Sequence, residues 1–272
     1  MKKISFIFSL LLYCSSFLTA QQVTLTPEQL KAFTPDWKGE RFPDKRPKVP
    51  DKLLQRLKGV HLEKAWGILR TKGYQNQFEG EWMVIHPDLV MTGRVVTAQY
   101  MPLRPGIDKV IRDAGKAEKR IGATNSWPID VLKDGDVYVA DSYGKVVDGT
   151  LIGDNLGNSI YAKSHRGVIL YGSLRDVEGL DDIKGFNSWR KGNDPSCIQQ
   201  MMLDGINVPI RIGRATALPG DAVLAKKYGV VFIPAHLLEE VVINAEFIGL
   251  KDAFGHQRLR EQKYTPGQID TQ

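Results

Sequence analysis

The sequence predicts a single α/β domain with an extension at each end. Three observations predict this fold class. Apolar residues recur at helical spacing in 52–72 and again in 236–255. Short β-rich runs such as "GDVYVAD" and "GVILYGSL" alternate with helical stretches, as they do in βαβ units. The 272 residues, of which 42% are hydrophobic, are enough to bury one sizeable core.

The first twenty residues have the organisation of a signal peptide. Lys2 and Lys3 precede the short apolar run "ISFIFSLLLY", and small residues close the segment at Ala20. The run is too short to span a bilayer, and the bulky Tyr13 disfavours lipidation at Cys14. We therefore predict cleavage after residue 20, export to the periplasm and no membrane attachment of the mature chain.

Removal of this segment leaves Cys197 as the one remaining cysteine of the sequence. A single thiol predicts neither an intrachain disulfide nor a clustered zinc site, and no neighbour in the sequence would activate it. The sequence analysis therefore treats Cys197 as inert. The formal charge of +6 is spread along the chain rather than gathered in basic runs, so nucleic-acid binding is not indicated.

The elements follow in order along the chain. Residues 21–51 form a proline-rich N-terminal arm, 52–256 the α/β domain and 257–272 a polar tail. The patterns predict two helices in 52–72, a strand in 89–101, mostly helix in 106–132, strands in 135–141 and 167–172, a helix in 154–166, and an irregular segment in 181–205. Three further strands are predicted in 208–213, 222–226 and 229–234, followed by a helix in 236–255. The helix in 154–166 is expected to have Asp154 as its N-cap and to stop at Gly167.

The strand 136–141, the helix 154–166 and the strand 167–172 make a plausible right-handed βαβ unit. Ligands of such units collect beyond the carboxyl ends of the strands and at the start of the helix. The backbone amides of Asp154, Asn155 and Leu156 would form an anion site at that helix start. The sequence therefore places a binding site at this edge of the sheet.

Arg175 and Asp176 leave the second strand of this unit at the same edge. Neighbouring side chains diverge in an extended chain, so these two are not expected to neutralise each other. Arg175 would then offer a planar fork to a carboxylate, and Asp176 would be free for a cation such as Mg²⁺, which often takes one carboxylate and several waters. The alternative is a solvated turn at the strand end beside a plain helix cap.

Two blocks of the sequence resemble the RraA-like family, which includes regulators of ribonuclease E activity and class II aldolases of 4-hydroxy-4-methyl-2-oxoglutarate. The first block is "VADSYGKVVDGTLIGDNLGNSIYAKSHRGVILYGSLRDVEGL", in which Asp154 and the Arg175-Asp176 pair have the family's spacing. The second block is "NVPIRIGRATALPGDAVLAKKYGVVFIP", residues 207–234. The chain departs from the family pattern at Arg214 and Lys226, which leaves its substrate open.

The resemblance implies a swivelling β/β/α core that assembles as a homotrimer or a homohexamer, with active sites between subunits. It also implies that Asp176 binds Mg²⁺ or Mn²⁺, and that Arg175, Asn155 and Leu156 bind an oxo-acid substrate. Asp154 would orient a water that acts as acid or base, so Asp154 and Arg175 are the catalytic candidates. The implied function is a metal-dependent lyase that cleaves a 4-hydroxy-2-oxo acid to pyruvate, with decarboxylation of oxaloacetate as a related reaction. The alternative is a non-catalytic binding or regulatory protein of the same family.

Three further charged residues are weaker candidates. Arg190 could contact substrate, and Glu239 and Glu240 could reach a neighbouring subunit's site, although a surface role is the safer prediction for each. None of the five histidines has the spacing of a metal-binding motif.

Overall fold

The computed structural model describes residues 23–270, so the predicted signal peptide lies outside the described residues. Their helices are α1 (Pro27–Phe33), α2 (Asp51–Leu57), α3 (Leu62–Thr71), α4 (Pro105–Ala117), α5 (Trp127–Asp130), α6 (Asp154–Ser164), α7 (Val177–Asp181), α8 (Leu238–Arg260) and α9 (Pro266–Asp270). Their strands are β1 (Phe78–Glu79), β2 (Met83–Val84), β3 (Met91–Pro102), β4 (Asp136–Asp141), β5 (Thr150–Ile152), β6 (Val168–Leu174), β7 (Ser188–Asn193), β8 (Met201–Ile206), β9 (Ile210–Ile212), β10 (Ala215–Ala217), β11 (Ala222–Lys226) and β12 (Gly229–Ile233). Between residues 23 and 270, no helix combines the length and the apolar character needed to cross a membrane.

Ten strands of the described chain form one mixed sheet. Its main path runs β1-β12-β11-β3-β4-β6-β7-β2, while β5 pairs with β6 and β8 pairs with β3. The central strands β3, β4, β6 and β7 are parallel, whereas β11 pairs antiparallel with both β3 and β12. Parallel neighbours need long crossover connections, and α6 supplies the one between β4 and β6. The predicted βαβ unit is therefore present.

The two faces of the sheet are covered by different kinds of structure. One face carries the helices: α4, α5 and α6 pack on the side chains of β3, β4 and β6, while α2, α3 and α8 pack on β11 and β12. The hairpin of β9 and β10 covers the opposite face, where Trp189 and Phe232 are buried. The domain therefore has three layers, and the mixed α/β fold class is confirmed.

The predicted helix 154–166 begins at the correct residue, but its N-cap is wrong by one residue and its last residue by two. Gly153, not Asp154, is the N-cap, so Asp154 is the first residue of α6. The helix ends at Ser164, because His165 adopts a left-handed conformation (φ 50°) and donates its N–H to Tyr161 O at 2.8 Å. The stop therefore precedes Gly167, and a histidine takes the conformation usual for glycine.

The prediction of an irregular segment in 181–205 is wrong, because β7 and β8 lie there. The sequence of β7, SWRKGN, lacks the apolar alternation from which a strand is predicted. Arg190 is buried among its own neighbours, donating from Nε to Asn193 Oδ1 at 2.6 Å and from Nη1 to Ser188 Oγ at 3.2 Å. The last long helix also continues to Arg260, past the predicted end of the core helix.

The N-terminal arm packs on the core at two separate points. Thr24 forms a bridge with Ile206 on β8, where Ile206 N donates to Val23 O at 2.7 Å. Farther along, Arg46 donates from Nη2 to Asp136 Oδ2 at 3.1 Å, and both side chains are fully buried. The arm is therefore part of the packed structure from residue 23 onward.

Candidate active site

The candidate site begins at the carboxyl end of β6. Arg175 donates its backbone N–H to Ile152 O at 3.0 Å, which ties this strand end to β5. Asp176 then takes a left-handed conformation (φ 52°), which aspartate tolerates better than most residues. The chain is therefore no longer extended at this point. Arg175 Nε lies 3.2 Å from Asp176 Oδ2, so the prediction that the two side chains diverge is wrong.

The start of α6 faces this pair. Gly157 donates to Gly153 O at 2.9 Å, so the amides of Asp154, Asn155 and Leu156 precede the first backbone bond of the helix. The backbone N–H of Asn155 is nevertheless already hydrogen-bonded, since it donates to Asp154 Oδ1 at 2.7 Å. At the predicted anion site, the carboxylate of Asp154 therefore already accepts a hydrogen bond from one of the three backbone N–H groups.

One cavity brings these elements together. Its volume is about 220 Å³. Its lining includes all five predicted site residues, Asp154, Asn155, Leu156, Arg175 and Asp176. The other lining residues are Asn125, Thr150, Leu151, Ile152, Gly153, Cys197 and Ile198. The cavity therefore combines one cation, two carboxylates and an apolar wall.

Cys197 is one of the cavity residues that the sequence patterns did not predict. Arg175 Nη1 donates to Cys197 Sγ at 2.9 Å, and the cysteine is exposed. This hydrogen bond, helped by the charge of Asp176, raises the pKa of the Arg175 guanidinium. Cys197 follows β7 in a segment that was predicted to be irregular, and nothing in the local sequence indicated its contact with Arg175. The contact with Arg175 was thus not predicted, and the expectation that the thiol is inert stays a prediction.

Gly153 makes the close approach of these groups possible. A Cβ at this position would collide with Asp176 Oδ2 and lie 3.1 Å from Arg175 Nε. Gly179, in α7, has a similar role, since a Cβ there would lie 2.9 Å from Asp154 Cβ. Two glycines thus let the backbone pack directly against the charged side chains of the cavity.

The donor set fits a hard cation with oxygen ligands better than a softer ion such as Zn²⁺, which takes histidine and cysteine ligands. Within residues 23–270, no three side chains of histidine, cysteine, aspartate or glutamate cluster as a metal site. Asp176 instead supplies one half-exposed carboxylate at the mouth of a cavity that a substrate with oxygen donors could share. Mg²⁺ and Mn²⁺ accept such a site, because waters and substrate oxygens complete their shells.

The remaining candidates lie away from the cavity. Arg190 and Glu239 do not line it, and Glu240 pairs instead with Lys72 at 2.5 Å. Arg214 donates its backbone N–H to Glu79 Oε2 at 2.9 Å, beside β1. Lys226, at the end of β11, accepts from Trp189 Nε1 through its backbone oxygen. The two departures from the family pattern therefore do not alter the lining of this cavity.

Comparison with known proteins decides the family. The sequence profile of the RraA-like family, described as Aldolase/RraA, matches residues 51–232. The chain belongs to the RraA-like family. Proteins similar to this chain include protein DlpA of Legionella pneumophila, 32% identical over 70% of this chain and 29% of that protein. A putative 4-hydroxy-4-methyl-2-oxoglutarate aldolase of Xanthomonas campestris is 31% identical over 40% of this chain and 64% of the relative. The chain thus spans less than two thirds of the length of either protein.

The RraA-like fold is also found among solved structures. Streptomyces coelicolor RraAS2, titled an unusual member of the RNase ES inhibitor RraA protein family, superposes with a TM-score of 0.67. The two chains are 24% identical, and the match covers 78% of this chain and 100% of the other. At this identity the likeness establishes the RraA-like fold. Both aldolase and RraA names therefore occur among the proteins similar to this chain.

Proposed function

We propose that this protein is a divalent-metal-dependent carbon–carbon lyase that cleaves a 4-hydroxy-2-oxo acid to pyruvate and a carbonyl compound. One observation carries the proposal: Arg175, Asp176 and the start of α6 line the same cavity. Similarity to proteins named as putative aldolases supports it. Decarboxylation of oxaloacetate is the related reaction, since it also leaves pyruvate.

Substrate binding would rest on charge at one end of the cavity and apolar contact at the other. The Arg175 guanidinium would bind the carboxylate and the 2-oxo group, because its Nη2 is directed to neither Asp176 nor Cys197. The amide of Leu156 would add a donor at the helix start. Leu151, Ile152 and Ile198 supply the apolar part of the wall and limit the size of the other end of the substrate.

Asp176 is the residue that would hold the metal. A bound Mg²⁺ or Mn²⁺ would polarise the 2-oxo group of the substrate. Asp154, acting through a water, would accept the proton of the 4-hydroxyl group. The C3–C4 electron pair would then pass to C3 and the 2-oxo oxygen as the carbonyl product leaves, and Arg175 would stabilise the resulting negative charge. Protonation at C3 would complete pyruvate.

The second candidate function is a non-catalytic binding or regulatory protein. The mutual pairing of Arg175, Asp176 and Cys197 favours it, since these groups satisfy one another without a ligand. Such a protein would bind a small acid or a partner at the same cavity and turn nothing over.

The cellular location and the assembly are a further part of the proposal. We propose that the protein is exported to the periplasm by residues 1–20 and acts there as a homotrimer or a homohexamer. Neither proposal involves nucleic acid or a membrane after the signal is cleaved.

The deciding experiment is release of pyruvate, followed with lactate dehydrogenase and NADH. The purified chain would be tested with Mg²⁺ or Mn²⁺ against several 4-hydroxy-2-oxo acids and oxaloacetate. Asp176→Asn is the test variant, because asparagine also tolerates the left-handed conformation; Asp182→Asn, at an exposed aspartate outside the cavity, is its matched control.

We expect turnover that chelator and Asp176→Asn abolish and that Asp182→Asn keeps. Absence of turnover from the folded, metal-supplied protein on every substrate would favour the binding protein. Turnover that survives both chelator and Asp176→Asn would remove Asp176 from the mechanism.

A further inference from the structure

The feature that the proposed function leaves unexplained is an apolar stripe on α8. Four large hydrophobic side chains of this helix are exposed: Ile243 at 48%, Phe247 at 63%, Leu250 at 72% and Phe254 at 51%. Their spacing of four, three and four residues places them on one face, as in the seam of a coiled coil. Exposed apolar surface of this regularity marks an interaction site.

The stripe is not the face by which α8 packs on its own core. That face consists of Leu238, Val241, Val242 and Ala245, which are buried against α3 and β12. At 100° per residue, the stripe lies on nearly the opposite side of the helix. After Ala245, Ile248 is partly buried against the core, and the buried Gly255 lies next to Ile269 of the C-terminal tail; the rest of the second half is largely exposed.

A groove adjoins the stripe and could receive the side chains of a partner. It has a volume of about 610 Å³ and runs between α3 and α8, with Gly67, Ile68, Phe247 and Ile248 among its lining residues. The absence of a side chain at Gly67 keeps the groove open. The charged residues Glu63, Lys64, Lys72 and Asp252 also line this groove, so it offers both apolar and charged contacts.

We propose that this surface, the α8 stripe with the adjoining groove, binds α8 of a second copy of this chain in antiparallel orientation. The spacing is self-complementary in that orientation. When the centres of the two stripes coincide, Phe247 faces Leu250 of the second copy, and Ile243 faces Phe254 of the second copy. Each of the four side chains thus meets an apolar partner in a single register.

The charges of α8 fit the same orientation. Three acidic residues, Glu239, Glu240 and Glu246, lie in its first half. Its second half has three basic residues, Lys251, Arg258 and Arg260, and one acid, Asp252, which pairs with Lys64 at 2.7 Å. Antiparallel pairing brings the acidic half of one helix to the basic half of the other and opposes the two helix dipoles favourably. A parallel pair would set the three acids beside the same three acids.

The arrangement also accommodates the bulk of the two domains. The first half of α8 is fixed on its own core, whereas the second half is exposed. In the antiparallel pair, the second half of α8 from one copy would lie along the first half of α8 from the other copy. It would also lie beside the groove between α3 and α8 of that other copy. The two cores then occupy opposite ends of the helix pair without competing for space.

The first test is the oligomeric state of the full chain by sedimentation velocity. Leu250→Glu places a charge at the most exposed position of the stripe, which the fold of one copy does not need. We expect it to lower the number of copies per particle to half or fewer, with a dissociation constant at least about tenfold higher. The matched control is Ile121→Glu, at an 85% exposed position away from α8, which should leave the assembly unchanged.

The second test fixes the orientation. Phe247→Glu should weaken association alone, and so should Leu250→Lys. The double variant should restore association, because antiparallel pairing sets each new glutamate against a lysine of the second copy. Failure of the double variant to associate would overturn the antiparallel orientation, since a parallel pair would set like charges together.

Three results would overturn the proposal altogether. One is a monomeric wild-type chain at 100 µM, about the upper end of the micromolar range in which specific pairs associate. Another is an assembly that Leu250→Glu leaves intact. The third is a monomer that binds phosphatidylglycerol vesicles through the stripe, with binding lost in Leu250→Glu, because the stripe would then face lipid.

Discussion

Two arginine–aspartate pairs of this chain have the same chemistry and opposite surroundings. Arg46 and Asp136 are both fully buried, and Arg46 also donates from Nε to Asp44 at 2.9 Å. Arg175 and Asp176 lie at a cavity, with 37% and 44% of their side chains exposed. The first pair joins distant parts of the chain, whereas the second joins neighbours at the end of β6.

The difference shows how burial decides what an ion pair does. Arg46 also lies over the ring of Phe42, so the arm encloses the pair completely. Burial raises the pKa of Asp136 even with Arg46 beside it, which shows how much desolvation costs there. Arg175 and Asp176 remain accessible to water and solutes, so a ligand can compete for either. The buried pair is thus structural, and the exposed pair is available for chemistry.

Substituting methionine for each arginine should give the largest expected difference, which is a difference in the free energy of unfolding. Arg46→Met should lower the free energy of unfolding by about 3–5 kcal/mol, because Asp136 would remain buried without its cation. Arg175→Met should change it by less than about 1 kcal/mol, as is usual for an exposed pair. Urea unfolding of the two variants measures both values. Equal losses would remove the distinction between the pairs.

The activity of these variants should show the reverse order. If the proposed lyase reaction is correct, Arg175→Met should lower kcat/KM for pyruvate release by about 10²–10³-fold, because it removes the donor to the developing negative charge. Arg175→Lys should keep only part of the wild-type kcat/KM, since lysine keeps the positive charge but lacks the planar guanidinium that binds two oxygens at once. Arg46→Met, assayed per folded molecule at low temperature, should keep most of its activity. A comparable loss in Arg46→Met would mean that the arm acts on the cavity.

A buried aspartate that lacks an arginine extends the comparison to pH. Burial raises the pKa of Asp221 to about 7, and its Oδ2 accepts only a backbone bond from Leu218 N at 2.9 Å. The native state therefore holds a proton that the unfolded state, with a pKa of about 3.9, releases earlier. Stability should fall as the pH rises from about 4 to about 7 and then level off.

The test is Asp221→Asn. Between pH 5 and pH 8, this group should cost the wild type on the order of 2–3 kcal/mol of unfolding free energy, and the variant should lose that dependence. Asp182→Asn, at an exposed aspartate, serves as the control. If chemical unfolding shows the same pH slope in wild type and Asp221→Asn, Asp221 does not carry a proton at neutral pH.

The smallest expected effect concerns Cys197, whose thiol contacts the exposed Arg175–Asp176 pair. Cys197→Ala removes the acceptor for Arg175 Nη1 and should raise the KM of the proposed reaction about 2- to 10-fold, as expected for one hydrogen bond of about 0.5–1.5 kcal/mol. Cys197→Ser, which keeps an acceptor, should lie closer to wild type. A KM equal to that of wild type in both variants would make the contact incidental.

Sequence reasoning reached the parts of the site that local patterns encode. The apolar run of β6 and the position of Asp154 at the start of a helical pattern placed Asp154 and Arg175 at one edge of the sheet, and the structure brings them to one cavity. Asp176 was located correctly, but its contact with Arg175 was not, because a left-handed residue at a strand end leaves no periodic signal.

What the sequence did not reveal depends on contacts between distant segments. Asn125 and Cys197 reach the cavity because the α4–α5 and β7–β8 connections pass beside it, and neither segment has a motif that indicates this. Similarly, β7 was missed because the burial of Arg190 depends on Asn193 and Ser188 rather than on apolar alternation. Tertiary packing overrode local composition at these positions.

The bridge between Thr24 and Ile206 determines when the N-terminal arm can pack on the domain, because β8 must be synthesised first. A ribosome makes the arm early, yet the strand that receives it is finished only after most of the domain has been synthesised. At elongation rates of about 5–20 residues per second, the arm waits on the order of ten seconds or more for β8. The first segment that the structure describes is therefore among the last to reach its final position.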